Sequence, residues 1–162
     1  MEDGCTMAKK IKAFSMVELI IIVAIVAALT FMAVPRLGFT ALRRKQAGTV
    51  AKKIVTDLRR TRRLAISDAA NNTDGFALNM TGGSPYTGYE IEDLSTSTII
   101  TNGTFSIDSA ISCTGGANFQ FGPLGNLKAE SDTQLAVSPS GKTFTITITI
   151  IEATGTVKCT EE

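Results

Sequence analysis

A long apolar run near the start of the chain dominates its hydrophobic pattern. Phe14 to Val34 is 21 residues long and contains a single charge, Glu18. At about 1.5 Å per residue, a helix of this length spans roughly the hydrocarbon core of a bilayer, so residues 14–35 are predicted to form a transmembrane helix. A buried core helix or the apolar region of a signal peptide is the alternative, but that region typically stops at about 7 to 15 residues, and no small-residue cleavage site clearly ends this run.

A second helical pattern follows the apolar run. Pro35 removes one backbone donor and kinks a helix, yet apolar residues resume after it at near-helical spacing, with arginines and lysines between them. These apolar positions are Leu42, Val50, Ile54, Leu58 and Ala65. The pattern predicts one kinked helix from about residue 14 to residue 69, whose outer half, residues 36–70, packs an apolar stripe on the domain that follows.

Residues 71–162 have the composition of a β domain, rich in Thr, Ser, Gly and β-branched residues. Thr143 to Ile150 alternates threonine with an apolar residue almost strictly, as a half-buried antiparallel strand does. The predicted fold class is therefore α+β, with a long kinked N-terminal helix packed on a C-terminal antiparallel β domain. The predicted strands are Gly75–Met80, Gly88–Ile91, Ser97–Thr101, Thr104–Ile107, Asn118–Phe121, Gln134–Ser138, Thr143–Ile151 and Thr154–Cys159.

Charge is distributed unevenly, although the net charge is only +1. Arg36 to Arg63 holds ten basic residues and one acid, Asp57, for a local charge of +9. Leu64 to the end holds three lysines and eleven acids, for a local charge of −8. This polarity makes association between copies plausible and suits contact of the basic segment with anionic lipid, while a solvated helix face is the better explanation of most of these residues individually.

Cysteine usage leaves few choices, because Cys5 precedes the apolar run and only Cys113 and Cys159 lie in the β domain. If that domain is outside the cytoplasm, Cys113 and Cys159 are the one candidate disulfide within it; two unrelated thiols are the alternative. With no histidine and no CxxC spacing, no zinc or redox site is predicted.

Nothing in the sequence predicts an enzyme or a cofactor. There is no nucleophile elbow and no phosphate loop, and the acids show no spacing typical of a catalytic pair. Glu90 to Asp93 could offer oxygen ligands to calcium, but it lacks the glycine-containing loop of an EF-hand and reads as a solvated edge. No metal site is therefore predicted.

The start of the apolar run resembles the leader and mature N-terminus of type IV prepilins and type II secretion pseudopilins. The resemblance rests on Lys9-Lys10-Ile11-Lys12-Ala13-Phe14-Ser15-Met16-Val17-Glu18-Leu19-Ile20 and on Pro35, which falls where many of these proteins carry a proline. It implies a leader peptide over residues 1–13 (or from Met7), cleavage by a prepilin peptidase between Ala13 and Phe14, and N-methylation of Phe14. The family usually has glycine where this chain has Ala13.

Glu18 is predicted to act in assembly. A carboxylate within an apolar run is expensive unless it is paired, although a residue near a membrane edge can also snorkel to water. Cleavage creates a positive amine at Phe14, one helical turn away. Resemblance to the family implies that Glu18 pairs with this amine of an adjacent filament subunit.

The resemblance also implies a location in the bacterial cytoplasmic (inner) membrane. It implies a single-pass chain with a cytoplasmic N-terminus and a periplasmic C-terminal domain, which joins a filament after assembly. Charge alone leaves this topology open, because the flank after the apolar run is more basic than the leader.

The C-terminal part resembles the GspH/FimT class of minor pseudopilins. The segments that carry this are Asp57 to Ile66, Phe119 to Gly125 and the closing Ile-Thr repeat that ends at Val157. The resemblance implies a minor subunit of a type II secretion pseudopilus, with the prepilin peptidase, other pilin subunits and the membrane as partners. The alternatives are a minor pilin of a type IV pilus, whose Arg59, Arg60, Arg62 and Arg63 would contact DNA or lipid, and a membrane-anchored binding module that is never processed.

Overall fold

The computed structural model describes residues 15–33, 39–100 and 102–161. Within them the chain forms two helices and nine strands and divides into two compact units, Met1–Phe39 and Thr40–Glu162. The helices are α1 (Met16–Ala33) and α2 (Phe39–Ser67), and the strands are β1 (Phe76–Thr81), β2 (Gly88–Asp93), β3 (Thr98–Ile99), β4 (Phe105–Ser106), β5 (Ile111–Gly115), β6 (Asn118–Phe121), β7 (Gln134–Pro139), β8 (Ile146–Ile151) and β9 (Thr156–Glu161).

The single kinked helix predicted from residue 14 to residue 69 is wrong, because α1 and α2 are separate helices. Helix α1 ends at Ala33, two positions before Pro35. Proline disfavours helical geometry in the residue before it and cannot donate its own backbone hydrogen bond, so a helix commonly ends at this point. Pro35 itself, the predicted kink, lies outside the described residues.

The predicted transmembrane half of that helix is also wrong. Over the residues described, neither helix combines the length and the apolar character needed to cross a membrane. The 18 residues of α1 span about 27 Å at 1.5 Å per residue, against a hydrocarbon core of about 30 Å.

Two antiparallel sheets form most of the second unit. Sheet A has the order β3-β2-β1-β6, with β4 also paired to β2, and sheet B has the order β5-β7-β8-β9. The prediction of antiparallel strands is confirmed. Strand β5 was not predicted, because its sequence Ile-Ser-Cys-Thr-Gly holds only one large apolar residue.

Helix α2 covers the inner faces of both sheets with an apolar stripe. Six of its buried positions recur at alternating steps of four and three residues: Ala47, Ala51, Ile54, Leu58, Thr61 and Ala65. The five apolar ones share one core cluster with Phe119 and Phe121 of sheet A and with Leu135 and Ile148 of sheet B. The predicted packing of the outer half on the β domain is confirmed, except that Leu42 is 56% exposed.

A buried carboxylate fixes the position of α2 on sheet A. Asp57 is 6% exposed, and its Oδ2 accepts hydrogen bonds from the Tyr89 hydroxyl at 2.5 Å and from Lys53 Nζ at 2.9 Å. Burial, and then the neighbouring carboxylate, raise the pKa of Tyr89 above its ordinary value, so Tyr89 stays a hydrogen-bond donor. The pair allows α2 to dock on β2 without leaving a carboxylate unpaired in the core.

We predict that Tyr89→Phe lowers the free energy of unfolding by about 1–3 kcal/mol, because Asp57 then loses a hydrogen bond inside the core. Tyr86→Phe is the matched control, since the Tyr86 hydroxyl donates to the neutral carbonyl of Gly115 at 2.7 Å. It should cost less, about 0.5–1.5 kcal/mol. Urea unfolding followed by circular dichroism measures both, and an equal or smaller loss at Tyr89 would contradict this account.

Candidate functional site

Helix α1 carries an apolar surface on all of its sides. Every large apolar side chain from Met16 to Met32 is exposed, by 46 to 83%. The hydroxyl of Thr30 is satisfied within the helix, because it donates to the carbonyls of Val26 at 2.7 Å and Ala27 at 2.9 Å. A contiguous apolar surface of this kind marks an interaction site with another apolar surface.

Glu18 is the one charged residue of this helix and lies in its first turn, with an exposed side chain. A carboxylate there interacts favourably with the unpaired backbone N–H groups of the helix N-terminus, worth about 0.3–1 kcal/mol. The predicted cleavage and methylation residues, Ala13 and Phe14, lie outside the described residues. The assembly role of Glu18 therefore stays a prediction.

Three of the four arginines predicted for DNA or lipid contact bind main-chain carbonyls of their own β domain. Arg59 donates to the carbonyl of Val157 at 3.4 Å, Arg60 to that of Asn102 at 3.1 Å, and Arg62 to that of Gly125 at 2.9 Å. Asn102 and Gly125 lie in loops that follow β3 and β6, and Val157 lies in β9. The arginines thus hold the ends of the sheets against α2.

Very close packing surrounds the Arg62 contact. Gly125 and Gly155 both have positive φ values, of 75° and 62°, and a Cβ atom on Gly155 would lie 1.9 Å from the carbonyl oxygen of Gly125. Any side chain at residue 155 would push the two loops apart and displace Arg62. Glycine at this position is therefore part of the arginine contact.

A groove of about 180 Å³ remains beside these arginines. It is lined by Arg59, Arg62 and Arg63 of α2 and by the segment Gly155 to Val157. Arg63 is exposed. The guanidinium groups have more donors than the carbonyls use, so the groove suits an anion, and a carboxylate or a phosphate would fit its charge.

The candidate disulfide between Cys113 and Cys159 is wrong, because both thiols are free. Cys113 lies on β5 and Cys159 on β9, the two outer strands of sheet B. Three strand spacings of about 4.8 Å separate them by roughly 14 Å, while a disulfide needs Cα atoms about 4.4–6.8 Å apart. Sequence gave no sign that these strands lie at opposite edges.

The Asp57–Tyr89–Lys53 contact is the polar cluster that sequence reasoning missed. Asp57 falls one turn from Ile54 and Thr61, on the buried side of α2. The helical periodicity could have located it, since an acid at a core position needs a partner. In the described parts of the chain, no three His, Cys, Asp or Glu side chains are placed to hold a metal ion.

Known proteins offer no guide to this site. Comparison of the chain with protein-family models, with curated proteins and with solved structures found no match in any of the three.

We predict that alkylation of the folded protein at about pH 8 labels Cys159 and spares Cys113. Burial raises the pKa of the Cys113 thiol to about 11, so only about a thousandth of it is thiolate at that pH. Partial burial also raises the pKa of Cys159, but this thiol is exposed and should react slowly. Peptide mapping measures the labels, with urea-unfolded protein as control; a peptide pair joined through the two cysteines would contradict the correction above.

Proposed function

We propose that this chain is a minor pilin-like structural subunit of a bacterial filament, of the kind found in type II secretion pseudopili. It assembles after a prepilin peptidase has removed residues 1–13 and methylated Phe14, and it supports protein secretion by packing rather than by catalysis. The observation that carries the proposal is the apolar surface of α1, which has a single carboxylate near its start.

Side-by-side packing of equivalent helices would cover that surface. An all-round apolar helix cannot be satisfied by the one face that a globular core offers, whereas a bundle of neighbouring subunits contacts it from several sides. The second unit is folded around its own core and leaves α1 to make the contacts between subunits. The two units thus divide assembly and exposure between them.

Glu18 would make such packing selective. Inside a bundle of apolar helices an unpaired carboxylate is costly, so Glu18 favours an arrangement that brings it a positive partner. The amine created at Phe14 by cleavage is that partner in the proposed filament. A subunit that is not processed lacks the amine and would not pack.

The arginine groove would fit a phosphate, but the other observations count against the DNA-binding alternative. Arg59, Arg60 and Arg62 already bind main-chain carbonyls, and residues 64–162 hold three lysines against eleven acids. The predicted location at the cytoplasmic membrane stays a prediction of the sequence, which fractionation of the producing cells tests.

We predict that intact-mass analysis finds a chain beginning at methylated Phe14 only in cells that contain a prepilin peptidase. A peptidase-deleted strain is the control and should yield only the longer chain. An unprocessed chain in both strains would overturn the filament proposal and leave a membrane-anchored binding module.

We predict that Glu18→Gln reduces filament incorporation by about a hundredfold, because loss of one member of a buried ion pair costs about 3 kcal/mol or more. Glu130→Gln is the matched control: it makes the same change at an exposed residue of the other unit. Sedimentation of sheared filaments measures incorporation. Since loss of the helix-end interaction alone costs at most about 1 kcal/mol, a defect below about fivefold would show that Glu18 only stabilises α1.

A further inference from the structure

Strand β9 (Thr156–Glu161) ends sheet B, with β8 on one side. The N–H of Ile150 donates to the carbonyl of Thr133 at 2.8 Å, on the β7 side of β8. Ile150 and its partner Val157 are therefore a non-hydrogen-bonded pair, and the polar backbone groups of Val157 face away from β8. The hydrogen bond from Arg59 of α2 to the Val157 carbonyl is consistent with this outward orientation, because the carbonyl is not paired with β8. By alternation, the N–H and C=O groups of Cys159 and Glu161 face outward as well.

The other long edges of the two sheets are covered. Along β6, the N–H of Lys128 donates to the carbonyl of Gln120 at 2.9 Å; along β5, the N–H of Tyr86 donates to the carbonyl of Cys113 at 2.9 Å. Within the described residues no strand pairs with the outer edge of β9, whose six residues are exposed except for Val157. An exposed edge of this length is a template for another strand.

We propose that β9 pairs in antiparallel fashion with β9 of a second copy, around a two-fold axis that passes between the two Cys159 residues. The pairing is isologous, so each copy gives the same surface to the other. In this register Val157 lies opposite Glu161 of the second copy, and the outward N–H and C=O groups on both strands find partners. The two B sheets then form one continuous sheet.

Charge selects both the occupant and the register. Glu161 points to the same face of the sheet as Val157, so the pairing places the carboxylate of one copy at the arginine groove beside Val157 of the other. The symmetry makes this contact twice. Registers centred on Lys158 or Glu161 would set like charges directly opposite, which is destabilising, and registers centred on Val157 or Thr160 shorten the overlap.

This register also predicts that the two Cys159 residues lie close enough to form a disulfide. Directly opposed residues of a hydrogen-bonded antiparallel pair have Cα atoms about 5.5 Å apart, within the range of about 4.4–6.8 Å that a disulfide accepts. The two Cys159 residues meet this condition. Thr160 does not face itself in this register, because it lies opposite Lys158 of the second copy.

The test uses full-length protein with one cysteine, in mild detergent, under a copper-phenanthroline oxidant. The background is Cys5→Ser with Cys113→Ala, which leaves Cys159; the matched control adds Cys159→Ser and Thr160→Cys. The proposal expects disulfide-linked dimers at residue 159 and at least about tenfold slower coupling at residue 160, which the disulfide range excludes. Absence of coupling at residue 159, or equal coupling at both positions, would overturn it.

Charge reversal provides the second arm. Glu161→Arg on the residue-159 background changes an exposed side chain and should slow coupling by about tenfold, since it sets like charges at each groove. Combining it with Arg59→Glu should restore coupling. Unchanged coupling in the single variant would show that Glu161 does not enter the groove. Because α1 takes no part in the β9 pairing, a failure of the cross-linking test leaves the filament proposal standing. A failure of the filament proposal likewise leaves the β9 pairing standing.

Discussion

Helix α2 must cover two sheets at once, and the rest of the second unit depends on that constraint. Sheets A and B have separate hydrogen-bond ladders, so their inner faces meet through the side chains packed around α2. The alternating steps of four and three residues keep one narrow stripe facing inward along the length of the helix. Asp57 and Tyr89 then fix where along sheet A this stripe lies.

The basic residues of α2 have two roles, one in internal contacts and one in forming a charged groove. Arg59, Arg60 and Arg62 close the second unit by binding backbone carbonyls, while Arg63 and the remaining donors leave a groove of positive charge. Arginine suits both tasks, since its planar fork holds several hydrogen bonds in fixed directions and keeps its charge. Uneven charge along the sequence therefore reflects internal contacts as well as exposed positive charge.

Local patterns predicted the strands well and the long-range arrangement poorly. The Thr-Ile alternation is a local signal, and β8 confirms it from Ile146 to Ile151, although the predicted strand began at Thr143. Strand β5 was not predicted because it has few apolar residues. Its burial comes from its pairing with β7, which is a long-range contact. The disulfide was wrong for a related reason: spacing along the chain does not reveal which strands are neighbours in a sheet.

The features of the candidate site also divide into those that local sequence predicts and those that depend on long-range contacts. Glu18 and the apolar run are visible in a short window of sequence. The arginine contacts are not, because each joins α2 to a main-chain carbonyl 42 to 98 residues later in the chain. Asp57 is intermediate, since helical periodicity places it inside but only the fold supplies Tyr89.

The distance in sequence between Arg59 and its partner Val157 also bears on how the protein is made. Helix α2 leaves the ribosome 98 residues before the carbonyl that Arg59 binds. At about 5–20 residues per second, roughly 5 to 20 s pass during synthesis before that last strand appears. Throughout this interval sheet B is incomplete, so part of the apolar stripe of α2 stays uncovered in the nascent chain until β9 has been synthesised.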